Sequence, residues 1–196
     1  MKYFGVAVTL ALMSNAAIAA TPAQLLGGPV IQGVCLLSPD AVLANAKAGL
    51  AANARFQQIT KDAENEVATA RAPIDADAKA LDAQRASLKP DDFAQRQQAI
   101  QQRFLIVQQL AAQRSREIEL TRQKAVGKIA AEEQPLIADA YYAKKCGLLF
   151  NRNSAIGGNF ANDLTPDVVK ALDVRMPTIS FDREVEPVRI GTAKSP

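Results

Sequence analysis

Few residue types in this 196-residue chain could do chemistry, and they exclude a good deal at once. It has no histidine and no tryptophan, so His-dependent acid/base catalysis, Ser-His-Asp or Cys-His triads and histidine-bearing metal sites are ruled out. Two cysteines remain, Cys35 and Cys146. Without histidine they make a poor zinc site, which leaves either one disulfide or two buried thiols on neighbouring strands. Carboxylates are spread along helical segments. Glu117 and Glu119, for instance, are two apart and point to different helix faces, so they are not an acid/base pair. No glycine-rich phosphate loop occurs. The chain is expected not to be an enzyme, with no catalytic residue, metal or cofactor assigned. A net charge of +3 is too mild to indicate nucleic acid as a partner.

The elements that carry these residues begin with an export signal. Lys2 gives a positive start, 3–13 an apolar run, and Ala17-Ile18-Ala19 the small residues that a signal peptidase reads, so residues 1–19 are expected to be removed. A membrane anchor would need about 20 apolar residues, and Ser14 and Asn15 interrupt this run too early. Cleavage removes one charge, that of Lys2, and takes the net charge from +3 to +2. Export to an oxidising compartment favours the disulfide reading of Cys35 and Cys146.

Residues 20–32 are rich in Gly, Pro and small side chains and are expected to be mobile. Val34-Cys35-Leu36-Leu37 is a strand-length apolar run stopped by Ser38-Pro39-Asp40. That triplet opens a helix: Ser as N-cap, Pro in the first turn, Asp at the positive end of the dipole. The same pattern recurs at Thr165-Pro166-Asp167, before a second short amphipathic helix. The first of these helices is expected to end near Gly49. A second strand is expected around Cys146-Gly147-Leu148-Leu149-Phe150-Asn151, and a third short one is allowed at Ala155-Ile156.

Between the strand signals, 50–145 contains a single glycine, Gly127, among Ala, Gln, Arg, Lys, Glu and Leu, all good helix formers. Alanine, 37 of 196 residues, suits long helices better than a large packed core. Phe56, Ile59, Val67, Ile74 and Leu81 mark a narrow apolar stripe on one limb, with Phe56-Val67-Ala78 and Ile59-Ala70-Leu81 repeating at eleven; Phe93, Ile100, Phe104, Val107, Ala111, Ile118, Ala125 and Ile129 continue it on the other, with Phe104-Ala111-Ile118-Ala125 spaced by seven. So thin a stripe belongs to a coiled coil, not to a globular helix. Lys89-Pro90-Asp91 divides the limbs, because proline disfavours helix before it and suits the first turn after it. The spacing therefore implies an antiparallel hairpin of about 39 rising and 54 returning residues, roughly 60 to 80 Å long. Pro73 either kinks the rising limb or splits it, and the in-phase stripe favours a kink; Pro135 should kink the returning limb. From 173 to 196 the prolines and mixed charges indicate a largely disordered tail, with Ile179-Ser180-Phe181 the one fragment expected to dock.

The order of signal peptide, strand, short helix, long hairpin, strand and closing helix resembles the Skp/OmpH family of periplasmic chaperones. The echoes are Val34-Cys35-Leu36-Leu37 before Ser38, Cys146-Gly147-Leu148-Leu149-Phe150, and above all Asp163-Leu164-Thr165, which matches the closing Asp-x-Thr pattern. The resemblance covers 33–172. It implies a mainly α fold, with a small β body at 33–49 and 146–172 that trimerises and a coiled-coil tentacle at 50–145. It also implies a homotrimer whose tentacles enclose unfolded outer-membrane β-barrel proteins without ATP. Two strands and two short helices bury too little to stand alone, which independently favours assembly. Lipopolysaccharide or membrane-surface contact is a further partner the resemblance allows. Around the tip, however, 79–103 holds five basic and three acidic residues, so electrostatic capture should be weak. The competing reading is an exported coiled-coil adaptor docking end-on to another envelope protein. The flanks here are too short for the β-rich domains such adaptors carry.

Overall fold

The computed structural model describes residues 27–186; the expected signal peptide at 1–19 lies outside them. Gly33 turns the chain into the first strand with φ 77°, a backbone region that favours glycine. β1 is Val34–Leu37. The Ser38 side chain then accepts a hydrogen bond from the Ala41 amide and opens α1, Pro39–Asn45, with Pro39 in its first turn.

Gly49 does not end this helix. The break falls at Ala46, whose extended ψ of 145° separates α1 from α2, Lys47–Ala83, and Gly49 lies buried inside α2. Its role is close approach: a Cβ there would sit 1.7 Å from the Leu43 carbonyl oxygen. A turn over 84–88 leads into α3, Pro90–Ala143, which begins at the expected proline. Both long helices run continuously through their internal prolines, Pro73 in α2 and Pro135 in α3, so the rising limb is one helix rather than two. Their 37 and 54 residues make them about 55 and 80 Å long.

Because α2 and α3 cancel each other's direction, the chain re-enters the body parallel to the way it left. β2, Leu148–Asn151, pairs in parallel with β1, Cys35 opposite Leu149. The disulfide between Cys35 and Cys146 closes the same junction, joining residues 111 apart in sequence. Ala155-Ile156 forms no strand; the third element beside the sheet is a single parallel bridge between Leu36 and Asp163. α4, Thr165–Arg175, follows and buries Val168 and Leu172 in the body core with Cys35, Leu37, Val42 and Ile129.

Thr165 acts differently from Ser38, whose pattern Thr165-Pro166-Asp167 repeats in sequence. The Thr165 hydroxyl makes no cap bond; it accepts from the Ser38 amide at 2.9 Å, across the body. Asp163 supplies the turn instead, taking the Thr165 amide at 2.9 Å and the Arg152 guanidinium at 2.8 Å. One short motif thus ties α4 to the start of α1.

Parts of both terminal segments lie within the described residues. In 27–32, expected to be mobile, Gly28 and Ile31 carbonyls accept from the Asn159 and Asn162 side chains. In the tail, 173–175 belong to α4, and 176–186 is laid against the hairpin.

Candidate functional site: the hairpin and its docked tail

Antiparallel packing of α2 on α3 is fixed by pairs at regular steps. Asp77 meets Arg103 at 2.5 Å, Glu66 meets Arg114 at 2.6 Å, and the Arg122 guanidinium lies 4.6 Å from the Phe56 ring centroid. Of the expected seam residues, Phe56, Ile59, Ile74, Leu81 and Val107 are buried; Val67, Phe93, Ile100, Phe104 and Ile118 are half-buried. Arg85 covers the Phe93 ring and Arg71 the Phe104 ring, so these two aromatics are shielded by guanidinium as well as by apolar packing. Lys89, Pro90 and Asp91 at the tip are exposed.

The seam of α3 towards the body keeps Ala125 and Ile129 of the apolar stripe but adds polar positions that apolar periodicity does not mark. Glu117, Thr121, Ala125, Ile129 and Glu133, each four residues after the last, are its buried positions. Steps of four drift around a helix relative to the heptad, so the buried face moves from Ile118 towards Glu117 as the hairpin nears the body. Glu117 is fully buried and fully partnered. Its carboxylate accepts from Gln113 at 2.9 Å and from Arg114 at 2.8 Å.

The tail completes this cluster. Arg183 pairs with Glu66 at 2.9 Å and lies 3.3 Å from Glu117, so two guanidinium groups and two carboxylates alternate around a ring of four charges. Burial raises the Glu66 pKa, but the hydrogen bonds and charges of Arg114 and Arg183 outweigh it and hold the carboxyl below the ordinary value. Phe181 packs on Phe56 with ring centroids 5.0 Å apart and the rings tilted by 44°. Farther along, Lys124 meets Glu184 at 2.7 Å and Arg116 meets Glu186 at 3.0 Å. Sequence reasoning pointed to Phe181 but missed Arg183; the available signal was a glutamate on a helix face that must bury something.

Among the described residues Glu133 has no such ion-pair partner. It is buried, one of its oxygens has no hydrogen-bond partner, and burial pushes its pKa up. Beside the tail-covered surface an apolar groove lined by Thr60, Ala63, Val67, Ala111 and Ile118 stays open. Leu105 and Ile106 project from the distal limb, Ile106 63% exposed. On the body, Leu148, Phe150 and Ile156 are also exposed. Among the described residues no group of three His, Cys, Asp or Glu could hold a metal, and no helix is long and apolar enough to cross a membrane.

Comparison with known proteins gives two matches to this arrangement. A family model described as outer membrane protein (OmpH-like) matches residues 33–172, the span from β1 into α4. A crystal structure from Caulobacter crescentus CB15, assigned as an OmpH-like outer membrane chaperone, is 34% identical with a TM-score of 0.74. The match covers 81% of this chain and 94% of that one. No curated protein matches.

Proposed function

Because the chain belongs to the OmpH-like family, we propose that it is an ATP-independent periplasmic holdase that keeps unfolded outer-membrane β-barrel proteins from aggregating. Three copies join through their small bodies, and three hairpins project around a cavity that takes the client. The observation that carries this reading is the pair of helices about 55 and 80 Å long whose seam is too narrow to bury their apolar side chains. Leu105, Ile106 and the open groove at Val67, Ala111 and Ile118 are left for weak, exchangeable contacts. Many such contacts within one cavity hold a chain by avidity and release it without fuel.

Assembly draws support from the body. A two-stranded sheet is marginal alone, and β2 leaves Leu148 and Phe150 exposed, Phe150 to 52%. Packing these side chains against a second and third copy supplies the missing core. The near-neutral tip favours contacts by burial over capture of lipopolysaccharide by charge.

Size-exclusion chromatography with multi-angle light scattering tests both parts. The protein alone should elute as a trimer at micromolar concentration, and with a urea-diluted β-barrel protein as one larger complex containing a single client. A stable monomer, or a client that precipitates without entering any complex, would sink the reading.

A further inference from the structure

We propose that the hairpin surface under the tail is a binding groove for extended polypeptide, filled in the resting protein by the chain's own residues 178–186 and opened to clients when they are displaced. The proposal deepens the holdase reading and rests on it. The tail adds no strand to the sheet and crosses the hairpin as an extended segment in which Ile179, Phe181 and Arg183 are turned towards the helices while Ser180 and Asp182 are exposed. Alternation of this kind is what any extended chain offers to one surface.

Half of the recognition is independent of sequence. The Arg55 Nε donates to the Phe181 carbonyl at 2.9 Å, and the Thr121 hydroxyl accepts from the Glu184 amide at 2.9 Å. Glu117 accepts from the Glu186 amide at 3.4 Å. Groups of this kind are common to every polypeptide, so helix side chains that grip them hold unfolded chain as such. The other half sets a preference. With the tail displaced, Glu66, Glu117 and Arg114 leave one negative charge in excess, and Phe56 with Arg122 leaves an open aromatic face. The segment such a site takes carries an aromatic residue and, two positions later, an arginine or lysine. Tethered just after α4, the tail competes at an effective concentration of order millimolar, so a client must engage several sites at once to displace it.

The test uses the full chain carrying Phe181→Ser and Arg183→Ser, which weakens the tail's own anchors without shortening the protein. A fluorescently labelled peptide, Thr-Ile-Ser-Phe-Asp-Arg-Glu-Val-Glu, supplies those anchors in trans. Fluorescence polarisation should show it binding the double variant at least about tenfold more tightly than the wild-type chain. Adding Thr121→Val, an isosteric loss of one acceptor, should weaken binding about fivefold with helicity by circular dichroism unchanged. Equal binding to variant and wild type, binding to neither, or equal binding of a peptide with Phe and Arg moved one position out of register would overturn the groove. Protection of a diluted β-barrel client, read on the same proteins, separates the two readings. Protection without peptide binding rejects the groove and keeps the holdase; peptide binding without protection does the reverse.

Discussion

At the body, β1, α1, α2, α3 and α4 all contribute to one buried core, closed by a disulfide and by the Thr165–Ser38 bond. Towards the tip, Ile74, Leu81 and Val107 are the buried apolar side chains, held between two helices and flanked by exposed ion pairs such as Arg71–Asp75. Exposed pairs contribute little, about 0 to 1 kcal/mol each, and cannot replace a core. The difference teaches a division of labour. Long-range constraints fix where the hairpin starts, whereas its distal half is held by a thin seam with few buried side chains.

Several changes would break or sharpen that contrast. Replacing both Cys35 and Cys146 by alanine opens a loop spanning 111 residues and should cost about 4 kcal/mol, read as a lower urea midpoint. Hydrogen exchange should then rise in β1, β2 and α4 more than in the distal hairpin; a uniform rise would show that the two ends are one cooperative unit. Next in size, Gly49→Ala should destabilise by about 3 kcal/mol, because the added Cβ would meet the Leu43 carbonyl and push α1 off α2. The same change at Gly127, where nothing lies within 4 Å, should stabilise by up to about 1 kcal/mol through helix propensity. Equal effects at the two glycines would contradict the packing at the base.

The smallest effect concerns Glu133. Its folded pKa is raised by burial, so the cost of its charge is fully present above that pKa, is relieved as pH falls through it, and is gone below the ordinary glutamate value of 4.5. Glu133→Met should therefore stabilise by about 1 kcal/mol at pH 7 and lose that advantage below pH 4.5, followed by thermal unfolding. An advantage that persists in acid would mean that shape, not charge, is what Glu133 costs.

Much of this architecture was legible from local signals. Ser38-Pro39 opens α1, Pro90 opens α3, the seven-residue and eleven-residue spacings mark the seam, and each cysteine lies in or beside a strand. Features that depend on distant partners were not. Thr165 resembles a cap until Ser38, 127 residues earlier, is placed beside it. Gly49 resembles a helix end until Leu43 crosses it. The tail resembles disorder because its apolar partner Phe56 and its charged partners Glu66 and Glu117 lie 66 to 125 positions earlier in the chain. Glu117 itself is polar, so a search for apolar periodicity passes over the residue most deeply buried in the hairpin seam.

The central claim is that the hairpins, not the body, hold unfolded clients. It is tested most directly by light scattering of an outer-membrane β-barrel protein diluted from urea, without nucleotide, in the presence of the full chain or of a chain shortened by two heptads on each limb around Lys89-Pro90. The full chain should suppress scattering at about one trimer per client. The shortened chain should remain assembled but protect large clients less well than small ones. Unchanged scattering with the full chain, or equal protection of every client by the shortened one, would contradict the account.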